Sequence, residues 1–144
     1  MTIELCLSVV GAVAGIVGSV ISIFGVFHNR FLAVHQYLEA VESTDFMKAK
    51  AAIYNSDPGQ IPLDSNEAAQ IVNFFHHWGL LARKHYLPMW VFDSGTGAGA
   101  IRLYELTQAY IMKRRDHHKD STYGSDFEWL YNELQRRKIE KKWQ

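Results

Sequence analysis

From Leu5 to Phe27 the chain carries no charged residue, and its small residues fall in a register. Ser8, Gly11, Gly15, Gly18, Ser22 and Gly25 follow one another at 3-4-3-4-3 spacing, which Glu4 extends on one side and Asn29 on the other. Such spacing draws a heptad seam along one face of a helix. At roughly 1.5 Å per residue the stretch crosses a ~30 Å hydrocarbon core. The pattern therefore predicts one membrane span with its flanks over residues 1–29, presenting a flat face of small residues to another helix.

No proline or other strong breaker separates Phe27 from Glu42, so the helix is expected to leave the membrane and continue to about Val41. Phe31, Val34, Leu38 and Val41 again step 3-4-3. This stripe lies on a different face of the helix from the seam. The two faces divide the work: the seam meets other helices in the bilayer, and the aliphatic stripe packs on the soluble domain.

Residues 30–144 read as an all-α cytosolic bundle of about five helices. Ser43 or Thr44 suits an N-cap, with Asp45 in the first turn. A helix over Phe46–Asn55 stops at Asp57-Pro58-Gly59, which has turn chemistry. Asp64 and Glu67 approximate a capping box for a helix over Ser65–Lys84, whose apolar face is Ala68, Ile71, Val72, Phe75 and Trp78. Pro88 opens a short helical turn. Gly95-Thr96-Gly97-Ala98-Gly99 reads as a flexible connection, Ala100–Arg115 as a helix, Asp116–Gly124 as a polar loop, and Ser125 as the cap of a last helix. No run of alternating β-branched residues marks a strand.

Charge places the chain in its compartment. All 15 Lys and Arg lie at Arg30 or beyond, as do all of the 15 acids except Glu4. The soluble part is nearly neutral and has no global field to recruit duplex nucleic acid. The single cysteine, Cys6, sits within the span, so there is no disulfide framework. A cleaved signal peptide is the competing account of the N-terminus, with Ala12-Val13-Ala14 as its cleavage motif. It lacks a basic n-region, and the apolar run continues well past Ala14. Glu4 before the span and Arg30, Lys48 and Lys50 after it predict the N-terminus outside and the soluble domain in the cytosol.

Candidate chemistry is sparse. The seam supports close-packed homo-oligomerisation. The same spacing would also suit a pore lined by Glu4, Ser8, Ser22 and Asn29, or the ordinary enrichment of small residues in membrane helices. The glycine segment has no preceding βαβ strand and no Lys-Ser/Thr pair, so it is neither a dinucleotide fingerprint nor a P-loop. Amides at the start of the following helix, helped by Arg102, can bind an anion. Lys113-Arg114-Arg115 and Arg136-Arg137-Lys138 with Lys141-Lys142 are either solvated helix ends, a pocket for a phosphate-rich ligand, or contacts to anionic headgroups beside Trp143. Arg102, Arg114 and Arg115 are the candidate anion-binding residues. The seven histidines include the adjacent pairs His76-His77 and His117-His118, which point to different sides of a helix, and no metal-ligand spacing appears. No cofactor is implied. No nucleophile–base arrangement is visible, so the chain is expected not to be an enzyme.

From Phe31 onward the chain resembles an uncharacterised bacterial family of small membrane proteins, each with one N-terminal span and a helical cytosolic domain of unknown function. The resemblance rests on Phe46-Met47-Lys48-Ala49-Lys50, Asn73-Phe74-Phe75 with Gly79-Leu80-Leu81, Ile101-Arg102-Leu103-Tyr104-Glu105 and Phe127-Glu128-Trp129-Leu130. It implies the architecture and no activity. The layout is also similar to that of ligand-triggered antiviral membrane effectors. The expectation is a non-enzymatic membrane effector or sensor, homo-oligomeric through the seam and bound by an anionic ligand. A membrane-anchored adaptor, recruiting a cytosolic protein through Trp78, Trp90 or the Tyr104 face, is the alternative.

Overall fold

The computed structural model describes the backbone of residues 2–93 and 95–142 and the side chains of residues 14–93 and 95–138. The described residues are all-α, with no strand. They form α1 (Thr2–Glu42), α2 (Thr44–Tyr54), α3 (Asn66–Arg83), a 3₁₀ turn (Met89–Phe92), α4 (Gly95–His118) and α5 (Ser125–Lys142). One long apolar helix thus leads into a bundle, as the hydrophobic pattern indicates. Among the described residues it supplies the candidate membrane span.

Local chemistry sets the boundaries. Ser43 has extended backbone, and its Oγ accepts the Phe46 amide to start α2. The cap of α3 is Ser65 itself, one residue later than an Asp64-to-Glu67 capping box would place it. Its Oγ accepts from the Ala68 amide at 3.2 Å and donates to Glu67 Oε2. At the start of α5 the cap is Gly124 rather than Ser125: Gly124 takes φ 69° and its carbonyl receives the Glu128 amide. A side chain there would meet Val72 and Ile111.

The bundle holds α1 by a different face from the aliphatic stripe. Tyr37 is 0 % exposed, with Ala33, Val34, Ala40 and Val41 half-buried around it, whereas Phe31 and Leu38 stay 71 % and 47 % exposed. The reason is aromatic. Tyr37 inserts among Trp78, Phe92 and Phe74, at ring centroid distances of 5.2, 5.2 and 6.2 Å. An inserted aromatic buries more surface than an aliphatic pair and adds edge-to-face contacts of about 1 kcal/mol each.

The glycine segment is not a flexible connection. Gly95 through Gly99 form the opening turns of α4. Thr96 Oγ1 donates to the Val91 carbonyl at 3.0 Å, tying this helix start to the 3₁₀ turn. Gly97 packs so closely on that turn that a Cβ would collide with the Phe92 carbonyl oxygen. Gly79 plays the same part where α3 crosses α5, with the Asp126 carbonyl against its Cα and Leu130 beside it.

Ring contacts fix the directions of the helices. Phe46, just beyond the end of α1, packs on Phe74, while Trp78 packs on Tyr37, so α3 runs back toward the start of the soluble part of α1. Phe75 stacks on Phe127 and Gly79 abuts Leu130, so α5 runs the same way as α3. Tyr104 meets Phe127 and Tyr131, while Ile101 and Gly97 lie near Leu134, so α4 runs opposite to both.

Candidate functional site

The exposed part of α1 is the most unusual surface. Every side chain from residue 14 to residue 32 is exposed, including Ile16, Val17, Ile21, Phe24 and Phe27. An apolar strip of this extent is uncovered in an isolated soluble chain and needs lipid or protein against it. Within it Gly15, Gly18 and Gly25 have open space where a Cβ would be. Ser22 Oγ donates to the Gly18 carbonyl and Ser19 Oγ to the Gly15 carbonyl, both at 2.9 Å. Each hydroxyl is thereby satisfied inside its own helix, and the seam needs no water to accommodate it. The seam positions Ser8 and Gly11, with Glu4 and Cys6, lie outside the described side chains.

The three candidate anion-binding arginines do not converge. Arg102 is exposed and faces Glu105 at 3.6 Å. Arg114 and Arg115 stand some three turns further along α4, about 18 Å by helical rise. Both are engaged in the fold. Arg114 donates to the Leu63 carbonyl at 3.1 Å and lies over the rings of Tyr110 and Tyr123. Arg115 donates to the Tyr123 carbonyl and pairs with Glu128, each at 2.8 Å. Lys113 donates to the Gly59 carbonyl at 2.9 Å. The basic run is therefore a clasp holding two loops, near residues 59–63 and at Tyr123, onto the end of α4. Alternation around a helix hides this in sequence, because only the fold reveals which carbonyls each cation meets. Burial of Tyr123 in the same cluster holds its phenol well above the ordinary range.

The aromatic residues considered for partner recruitment part company. Trp78 and Tyr104 are buried in the core, and desolvation raises the Tyr104 phenol. Trp90 alone of the three stays on the surface, 62 % exposed. His76 is also structural: its Nδ1 accepts the Asp126 amide at 3.2 Å, and the Asp126 carboxylate takes Arg83 at 3.1 Å. Among the described residues no three His, Cys, Asp or Glu side chains gather as a metal site.

One open cleft of about 300 Å³ lies between the start of α4 and α5, lined by Phe92, Ile101 and Leu134 with Arg137 and Lys138 at its edge. Its residues assemble no nucleophile and base. The chain matches no family model, no curated protein and no solved structure.

Proposed function

We propose that this is a non-enzymatic, single-pass protein of a bacterial inner membrane, which homo-oligomerises through the Gly/Ser face of α1 and acts as a membrane effector or sensor. The observation that carries the reading is the uncovered helix. Lipid accounts for its bulky residues, and a second copy accounts for the flat face of Gly15, Gly18, Ser22 and Gly25, where backbones can approach closely. The positive residues beyond Phe27 favour a cytosolic bundle with the N-terminus outside. The resemblance to a family of small one-span proteins supports this layout, and the similar layout of ligand-triggered antiviral membrane effectors suggests a role in defence. An anionic small molecule or a cytosolic protein acting on the bundle would be the trigger. The adaptor alternative keeps Trp90 as its one exposed aromatic among those proposed to recruit a partner.

Native mass spectrometry of the full chain in nanodiscs, beside Gly15→Leu, tests this. A discrete oligomer that collapses in the variant supports the seam. Unchanged mass in the variant refutes it, and a monomer in both leaves the anchored adaptor as the better account.

A further inference from the structure

The fold gathers one kind of chemistry at one end of the bundle. Tyr37 stands ten residues beyond Phe27, the last residue of the uncharged stretch, or about 15 Å along the helix. The helix α3 passes Tyr37 at Trp78 and continues back toward the membrane for five more residues, about 7 Å. Its end therefore comes within roughly 8 Å of the hydrocarbon boundary, where the headgroup layer lies. Arg83 and Lys84 are exposed there. The chain then turns at His85, with φ 64°, and the Tyr86 and Leu87 amides both bond to the Leu81 carbonyl, which pins the turn to the helix end. That turn buries Leu87 and leaves Tyr86 and Trp90 60 % and 62 % exposed. The helix α5 arrives from the same direction, bringing Arg137 and exposed Lys138 beside Phe92 and Asp93. Phe31, also exposed, lies on α1 between Phe27 and Tyr37. Three acids lie near: Asp126, which pairs with Arg83, Glu133, held by Arg136 and Arg137, and Asp93 on the cleft. The balance is positive.

Exposed Trp and Tyr at a polar–apolar boundary, interleaved with Lys and Arg, form the chemistry of a membrane interface. Trp90, 62 % exposed, is the kind of amphipathic ring that sits at headgroup level. We propose that this end of the bundle, carrying Lys84, Tyr86, Trp90 and Lys138, docks on the anionic lipid headgroups at the foot of α1. The occupant is an anionic lipid surface because α1 tethers the patch beside one and the charges are complementary. The inference rests on α1 spanning the bilayer. The docked bundle would hold a fixed orientation, so lipid charge would bias how neighbouring bundles meet.

Spin labels in the full chain test the idea, in a Cys6→Ser background with a single new cysteine at Tyr86→Cys, Val17→Cys or His117→Cys. Each is placed in nanodiscs of phosphatidylcholine alone or mixed with phosphatidylglycerol, and access to oxygen and to a water-soluble nickel chelate is measured. The label at 86 is expected to lose nickel access in the anionic discs. Lys84→Glu with Lys138→Glu should restore it by lowering the docked population about tenfold or more. The label at 17 should be oxygen-accessible in both lipids, and the label at 117, at the far end of α4, nickel-accessible in both. A water-exposed label at 17 overturns the spanning reading and this proposal with it. Lipid-embedded 17 with 86 indifferent to lipid charge overturns the docking alone, and is the result expected if a protein covers this end instead. Shielding of 117 together with 86 also overturns it, as non-specific adsorption.

Discussion

Gly97→Ala distinguishes a hinge from a packed helix start by the sign of its effect. Were Gly95–Gly99 a hinge, alanine would restrict the unfolded chain and stabilise the fold by about 0.4–1 kcal/mol. In the structure Gly97 is helical and its missing side chain is filled by the Phe92 carbonyl; a Cβ would meet that oxygen, the carbonyl carbon at 3.1 Å and the Phe92 Cβ at 3.4 Å. All three atoms belong to one residue, which is itself buried and in edge contact with Tyr37. Accommodation must therefore move the 3₁₀ turn and disturb the seat of α1. Overpacking of this kind costs about 1–3 kcal/mol, and the higher helix propensity of alanine returns about 1. The crowding reaches backbone rather than a flexible side-chain tip, so the upper half of that range applies and the net loss is about 1–2 kcal/mol. That corresponds to a fall in Tm of roughly 4–8 °C for a chain of this size. Two neighbours serve as internal controls. Gly95 has nothing near its Cβ position, and Gly99 has only the Tyr54 hydroxyl at 3.7 Å; alanine at either should be neutral or mildly stabilising. Urea unfolding in detergent, followed by tryptophan fluorescence, gives all three values. Gly97→Ala as stable as Gly95→Ala would refute the close packing of this helix start.

Other expectations follow from the same contacts. Arg114→Ala removes a hydrogen bond to Leu63 and two ring contacts, and should cost about 1–2 kcal/mol; hydrogen exchange should quicken in residues 56–65 while α1 is unaffected. Asp126→Ala removes the carboxylate that holds Arg83 beside His76; because Arg83 is half-exposed, solvent screening limits the cost to about 1–2 kcal/mol, read as a lower urea midpoint with an unchanged slope. The Arg136 and then the Arg137 guanidinium hold the Glu133 carboxyl below its ordinary value of 4.5. Folding therefore favours the ionised form. That contribution is complete above the ordinary value and is lost as the pH falls through the depressed one; Glu133→Gln should flatten the acid limb of the stability profile, and an unchanged limb would remove Glu133 from the account.

Periodicity made the architecture legible because the helices of the bundle each bury one face. The face of α3 read from Ala68, Ile71, Val72, Phe75 and Trp78 is the face it buries. Two failures share a cause. Phe31 and Leu38 keep the right spacing yet remain outside, and Gly97 has the right composition for a loop yet sits in a helix. Both depend on partners distant in sequence: Tyr37 displaces the aliphatic stripe because Trp78 and Phe92 form a socket for it, and Gly97 is needed only because the 3₁₀ turn folds back on α4. The basic run at residues 113–115 was legible as charge but not as a clasp, since its acceptors are backbone carbonyls that any sequence supplies.

The unbroken course of α1 has a mechanical consequence. At roughly 100° per residue, the mean direction of Gly15, Gly18, Ser22 and Gly25 differs from that of Ala33, Val34, Tyr37, Ala40 and Val41 by about 80°, and Phe24, Phe27 and Phe31 lie nearly opposite the seam. Self-association through the seam therefore need not displace the helix from its own bundle, and the bulky face is left for lipid. Tyr37 is wedged on several sides by Trp78, Phe92 and Phe74, so the bundle cannot rotate about α1 without breaking its own core. A rotation of the membrane helix must turn the bundle with it, and a torque on the bundle must turn the seam. Loosening that joint with Tyr37→Ala would separate the two. Cavity formation at a fully buried aromatic costs about 3–5 kcal/mol, so the bundle should be markedly destabilised while an oligomer built on Gly15, Gly18 and Gly25 persists. Loss of the oligomer together with the bundle would mean that assembly is made by the soluble domain and not by the span.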